Sequence, residues 1–238
     1  MADKRDLTRP DVPAPTGRAA VDAFLGQAAV VAPVDGDRGR LIFALDATMS
    51  RQPTWDLACR LQAEMFAEAT RVGGLAVQLV YFRGFNECRA SRWVSDPAAL
   101  TSLMTGLACQ GGHTQIGRVL RHAREENRRR PSRVLVYVGD AMEENVDELC
   151  AVAGELGLLG VKAFMFQEGR DPAAGTAFPE IARLTGGAYA SFDAGAARTL
   201  AGLLRAAAAY AGGGAASLKA LAGRDPEARR LLTAMGGR

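Results

Sequence analysis

No apolar run in the 238 residues approaches the roughly 20 needed to span a bilayer, and no Cys-x-x-Cys pair occurs. The first absence argues against a membrane-spanning helix. The second leaves Cys59, Cys88, Cys109 and Cys150 scattered, which reads as reduced, mostly buried thiols rather than a disulfide framework or a zinc site. The segment MADKRDLTRPDVPAPTG has no apolar core behind its charges, so no secretory signal is expected and the chain is placed in the cytoplasm. Chemical signatures are missing too. There is no G-x-x-x-x-G-K-[ST] loop for a nucleotide, and Ser50 lacks the G-x-S-x-G elbow of a nucleophile. A phosphatase of the aspartyl-nucleophile type wants a second aspartate two residues after Asp46, where Thr48 stands. A receiver domain wants a lysine at the carboxyl end of a late strand, whereas Lys162 begins its strand. No catalytic set remains, and a binding protein rather than an enzyme is expected. A formal net charge of +3 is too mild for a dedicated nucleic-acid binder, and 48% hydrophobic with 23% charged residues is ordinary for a folded domain.

What is present is an alternation of strand and helix patterns. Residues 1–16, with Pro10, Pro13 and Pro15, read as a flexible lead-in, and residues 17–38 as a short helix followed by a linker. LIFALDA (41–47) is an apolar run of buried-strand type, and 54–70 carries Leu57, Leu61 and Met65 on one helical stripe. Strands are expected at 74–82 and 87–94, and the short turn Arg83-Gly84-Phe85-Asn86 between them forces an antiparallel pair. The second of these is polar at alternate positions and belongs at a sheet edge. Helices follow at 97–108 and from Gln115, then strands at 133–140, 161–169 and 188–192 with helices near 144–156 and 175–185 between them. The pattern predicts an α/β fold, a mostly parallel sheet with helices on both faces. An alanine-rich helix, about 195–211, is expected to end at Gly212-Gly213-Gly214. A helical tail (212–238) then starts a last helix at Asp225-Pro226, where Leu231, Leu232 and Met235 form a short stripe suited to covering the domain body and Ala228 adds little.

Asp46 closes one apolar strand and Asp140 another, so both carboxylates share a rim if those strands are parallel neighbours. Thr48 and Ser50 follow Asp46 at two-residue spacing, which in extended backbone turns all three side chains one way. Thr114 adds a hydroxyl after the loop Gly111-Gly112-His113. Alone, Asp46 reads as a turn or capping aspartate; together, two carboxylates and three hydroxyls read as a site for a hard divalent cation, Mg²⁺ or Mn²⁺. Two Asp charges roughly cancel a dication, leaving the ion able to accept a further carboxylate from outside.

Asp46-x-Thr48-x-Ser50, a threonine after a Gly-Gly loop, and Gly139-Asp140 ending the next core strand resemble the metal-ion-dependent adhesion site of a von Willebrand factor type A (VWA) domain. The resemblance covers about residues 40–211, and the VWA unit is bounded at 39–211. It implies a doubly wound six-stranded sheet of order 3-2-1-4-5-6 with strand 3 antiparallel. It also implies that Thr48, Ser50 and Thr114 bind the ion directly while Asp46 and Asp140 act mainly through water. Thr48 stands where the family usually has serine, a change that keeps the hydroxyl. The family further implies a protein partner that supplies Asp or Glu to the ion, with an adaptor role beside an AAA+ ATPase as the expected context. The alanine-, arginine- and glycine-rich composition points to a bacterial source with a GC-rich genome.

Other residues near the rim have plainer readings. His113 is a rim residue, a ligand or base only in a metal-dependent hydrolase, and His122 is a helix-surface histidine. Glu143 and Glu144 follow Asp140 closely enough to touch the ion, and with His113, Arg118 and Arg121 they are candidate rim or partner contacts; their simpler role is at the start of the next helix, where carboxylates favour the positive dipole end. Arg118, Arg121, Arg124 and Arg128 recur at helical spacing and read as a solvated face. The alternative function is binding of nucleic acid or another acidic ligand through that face.

Overall fold

The computed structural model describes residues 39–70, 74–193 and 196–236; the expected lead-in at 1–16 and the helix and linker at 17–38 lie outside them. The apolar runs form β1 (Gly39–Asp46), β2 (Leu75–Arg83), β4 (Val134–Gly139) and β5 (Lys162–Glu168), each buried along nearly its whole length, as strands covered on both faces must be. The alternating run forms β3 (Glu87–Val94), and β6 (Ala188–Phe192) closes the other side. The sheet order is β3-β2-β1-β4-β5-β6, with β3 antiparallel to β2 and every other pair parallel. β3 is thus the polar edge its sequence implied. A register shift between Gln78 and Val80 bends this edge pair, and Ser91 repairs the ladder there by accepting the Leu79 N–H on its hydroxyl at 3.0 Å.

Side-chain alternation divides the core. Leu41, Phe43 and Leu45 face one side with Val77, Leu79, Val136 and Val138. Ile42 and Ala44 face the other with Val80, Phe82, Leu135 and Tyr137. The first face is covered by α1 (Gln52–Thr70), α2 (Pro97–Thr105), α6 (Ala197–Ala222) and α7 (Pro226–Ala234). The second is covered by α3 (Ile116–Arg129), α4 (Val146–Leu158) and α5 (Pro172–Thr185). Chain direction across the sheet reverses at β1, whose neighbours are β2 and β4. A crevice therefore opens beyond the carboxyl ends of β1 and β4, and the loops after those strands line it.

Three helices start alike. Asp96, Asp171 and Asp225 each accept N–H groups of the first turn, and Pro97, Pro172 and Pro226 follow as residues that need no N–H there. This signal sets the start of α5 at Pro172, three residues before the 175 expected from periodicity. At the other end, α2 stops at Thr105 with Gly106 as C-cap rather than running to 108, which frees the following residues to reach the end of β1, where Gln110 N–H donates to the Ala47 carbonyl. The alanine-rich helix breaks at the three glycines as expected: the span α6 is two helical stretches that meet at a kink at Gly214 (φ 66°, ψ −158°), a conformation open to glycine, and the second stretch runs to Ala222. Leu218, Leu221, Ala228 and Leu231 are buried against the first core face, so the tail does cover the body. Ala228, fully buried, contributes more than its small side chain implied.

Candidate functional site

β1 pairs with β4 in parallel, Leu45 opposite Val138, so Asp46 at the end of β1 and Asp140 just past β4 reach the same rim. Asp46, Thr48, Met49, Gly111, Gly112, Thr114, Asp140, Ala141 and Glu143 line a cleft of about 220 Å³ there. Four of the five expected ligand residues thus meet in one place. Ser50 lies in a 3-10 turn, Met49–Arg51, that directly follows Thr48. The extended spacing expected for all three residues therefore holds for Asp46 and Thr48 (φ −73°, ψ 162°) and gives way to the turn at Ser50.

Asp46 is 3% exposed, and its Oδ1 accepts the Thr48 N–H at 2.7 Å. Burial pushes its carboxyl up to about 6; the Thr48 hydrogen bonds pull it back, while the Asp140 charge pushes the same way as burial. Two carboxylates lining one partly dehydrated cleft are costly unless a cation joins them. Among the described residues no three His, Cys, Asp or Glu side chains group to hold a metal, so hydroxyls would have to complete any coordination.

The loop carrying Thr114 is fixed by close backbone packing. A Cβ on Gly112 would sit 2.0 Å from the Gly84 carbonyl oxygen, so only glycine fits. His113 N–H donates to that same carbonyl at 3.2 Å, and the Gln115 amide reaches the Arg83 and Gly84 carbonyls. On the first-motif side, Gln110 N–H donates to the Ala47 carbonyl at 3.0 Å. Gly139 has its own constraint: the Tyr137 hydroxyl lies where a Cβ would stand, 2.6 Å from it. That hydroxyl is fully buried, has no hydrogen-bond partner among the described residues, and burial holds its pKa well above the ordinary value.

Glu143 and Glu144 do not serve the helix that follows them. Asn145 caps α4 by accepting from Asp147 and Glu148, leaving both glutamates free to reach back across the crevice. Glu143 Oε2 accepts the Thr114 N–H at 3.0 Å and lies 3.1 Å from His113 Nδ1, while Glu143 N–H donates to the Thr114 hydroxyl at 3.0 Å. Glu144 accepts the Ile116 and Gly117 N–H groups, the latter at 2.9 Å, and so caps the N-terminus of α3, the preceding helix. Burial raises its pKa and those backbone donors oppose the rise, with Arg121 adding positive charge nearby.

The arginine face is largely occupied. Arg118 donates to the Asn86 carbonyl and side chain, each at 2.8 Å; Arg124 pairs with Glu155 and Glu125, and Arg128 with Glu125. His122 is half-buried rather than fully on the surface: Nε2 lies 2.9 Å from Gln78 Oε1 and burial lowers its pKa. Of the cysteines, only Cys109 is buried, the other three being half-buried.

Sequence reasoning passed over Arg51. It follows the motif directly, is 2% exposed, and forms a buried ion pair with Glu168, which also accepts the Thr54 hydroxyl. Arg51 Nε stands 3.9 Å from Asp140 Oδ1. The available signal was Glu168 itself, a carboxylate closing an apolar strand just as Asp46 does.

No protein-family model matches the chain, and no curated protein matches it. Solved structures do. The SpRpn10 VWA domain aligns over 67% of this chain and 90% of its own, with TM-score 0.55 and 13% identity. An aerotolerance-related membrane protein from Bacteroides fragilis aligns over 71% and 98% respectively, with TM-score 0.56 and 16% identity. Proximal thread matrix protein 1 from the mussel byssus, described with a zinc-occupied MIDAS motif, aligns over 72% of this chain and 46% of its own, with TM-score 0.57 and 16% identity. At such identities the likeness is one of fold, and the fold of this chain is that of the VWA domains.

Proposed function

We propose that this chain is a divalent-metal-dependent protein-binding domain. Asp46, Thr48, Ser50, Thr114 and Asp140 would hold Mg²⁺ or Mn²⁺, which supplies positive charge and an open coordination position for an Asp or Glu of the partner. The observation that carries the reading is the meeting of Asp46, Thr48, Thr114 and Asp140 at one cleft, where burial and the neighbouring carboxylate raise Asp46 to about 6. Such a donor set of oxygens fits a hard dication, and the zinc in the mussel protein's MIDAS motif is a fold-level precedent for a divalent ion. The chain's own residues do the positioning: the Gly112–Gly84 contact seats Thr114, and Glu143 holds the Thr114 backbone.

In this reading the chain is a cytoplasmic bacterial adaptor, acting with an assembly machine such as an AAA+ ATPase, and not an enzyme. No helix among the described residues is long and apolar enough to cross a membrane. Nucleic-acid binding through the arginine face is disfavoured, because Arg118, Arg124 and Arg128 already have partners on the chain. The test is partner capture with and without EDTA. Asp46→Ala and Asp140→Ala should each abolish EDTA-sensitive capture with the circular dichroism spectrum unchanged; its survival in both would contradict the reading.

A further inference from the structure

Among the described residues four large apolar side chains are exposed, and they fall in two pairs. Leu158 and Leu159 lie at the end of α4, ahead of β5 and so at the far end of the sheet. Met49 and Phe85 stand at the cleft end. Met49, 62% exposed, lines the cleft itself. Phe85, 71% exposed, sits in the β2–β3 turn with its ring edge-on to the His113 ring, centroids 5.1 Å apart, and His113 in turn contacts Glu143 on the cleft wall. A three-residue turn at a sheet edge has no folding use for a phenylalanine held in water. Gly84 (φ 57°) and the Gly112 contact nevertheless fix that turn against the site.

We infer that Met49 and the Phe85–His113 pair form an apolar rim that selects the partner, and that the segment bound is an acidic residue flanked by large apolar side chains. The inference rests on the metal-dependent reading above and adds the identity of the flanking residues. Charge decides the centre of the segment. Asp46, Asp140 and Glu143 surround the cleft, and the adjacent cation, Arg51, is taken by Glu168, so only a metal-bearing cleft accepts an anion. Geometry decides the flanks. Met49 adjoins the cleft and Phe85 stands one imidazole ring beyond it; an extended segment advances roughly 3.3 Å per residue, so apolar residues two or three positions from the acid reach the rim. The rim offers aromatic and thioether surfaces, which suit leucine or phenylalanine better than serine or lysine.

The test uses the full chain with Mg²⁺ on an array of nonapeptides with a central Asp or Glu and Leu, Phe, Ser or Lys two and three positions away, alongside calorimetric Mg²⁺ titration. Wild type should favour Leu- and Phe-flanked peptides at least tenfold over Ser-flanked ones, in an EDTA-sensitive way. Phe85→Ser should erase that preference while leaving Mg²⁺ affinity unchanged, and Met49→Ala should weaken it. A preference that persists in both variants, or its absence from a wild type that binds Mg²⁺, overturns the rim alone. Mg²⁺-dependent dimerisation lost in Phe85→Ser would make the occupant a second copy of the chain and overturn the peptide assignment. A wild type that takes up no Mg²⁺ overturns the metal reading and this one with it.

Discussion

Asp46 carries a conflict that mutation can expose. Its carboxyl is raised from 3.8 to about 6 in the folded chain, so its contribution to stability is fully present below the unfolded value and is lost as pH rises through about 6. At pH 7.5 without metal that loss is on the order of 2–3 kcal/mol. Asp46→Asn keeps an acceptor for the Thr48 N–H and removes the charge. The metal-free variant is therefore expected to melt several degrees above wild type at pH 7.5 and at the same temperature at pH 3. Arg51 behaves oppositely. Its removal strands Glu168 at 7% exposure, so Arg51→Ala should cost about 3–5 kcal/mol in urea denaturation, and Arg51→Met with Glu168→Leu should recover most of it. A small loss in the single variant would show that the ion pair is not the tie between the motif loop and β5.

Loops and caps explain which elements the sequence made legible. Strands β1, β2, β4 and β5 were readable because unbroken apolar runs have one buried solution in a sheet covered on both faces, and the short 83–86 turn dictated the antiparallel edge. Element ends differ from periodicity where a local device outweighs it, Asp171-Pro172 at the start of α5 and Gly106 at the end of α2, whereas the glycines at 212–214 mark the break in α6 that their sequence implies. At the site, Asp46, Thr48, Thr114 and Asp140 were legible from residue type and position. The back-reaching roles of Glu143 and Glu144 were not, because they depend on the spatial meeting of α3 with the loop after β4. The Gly112–Gly84 contact was equally hidden, since it joins residues far apart in sequence. Gly112→Ala forces that loop away from the turn and is expected to weaken Mg²⁺ binding about tenfold or more while the far-ultraviolet spectrum stays that of wild type. Unchanged affinity would mean that Thr114 is seated by other contacts.

The whole chain is organised so that its doubly wound sheet delivers oxygen donors from three separate loops to one end, while α6 and α7 close the first face with alanine and leucine. An ion bound only by the folded form should stabilise it by about 2.7 kcal/mol at a hundredfold excess over Kd. The expected rise in melting temperature is roughly 5–10 °C, reversed by EDTA. The decisive experiment is calorimetric titration of Mg²⁺ and Mn²⁺ into wild type and Asp46→Ala at pH 7.5. Saturable binding of one ion to wild type and none to the variant is the predicted result. Equal binding to both proteins, or no binding to either, would contradict a metal centre at the ends of β1 and β4.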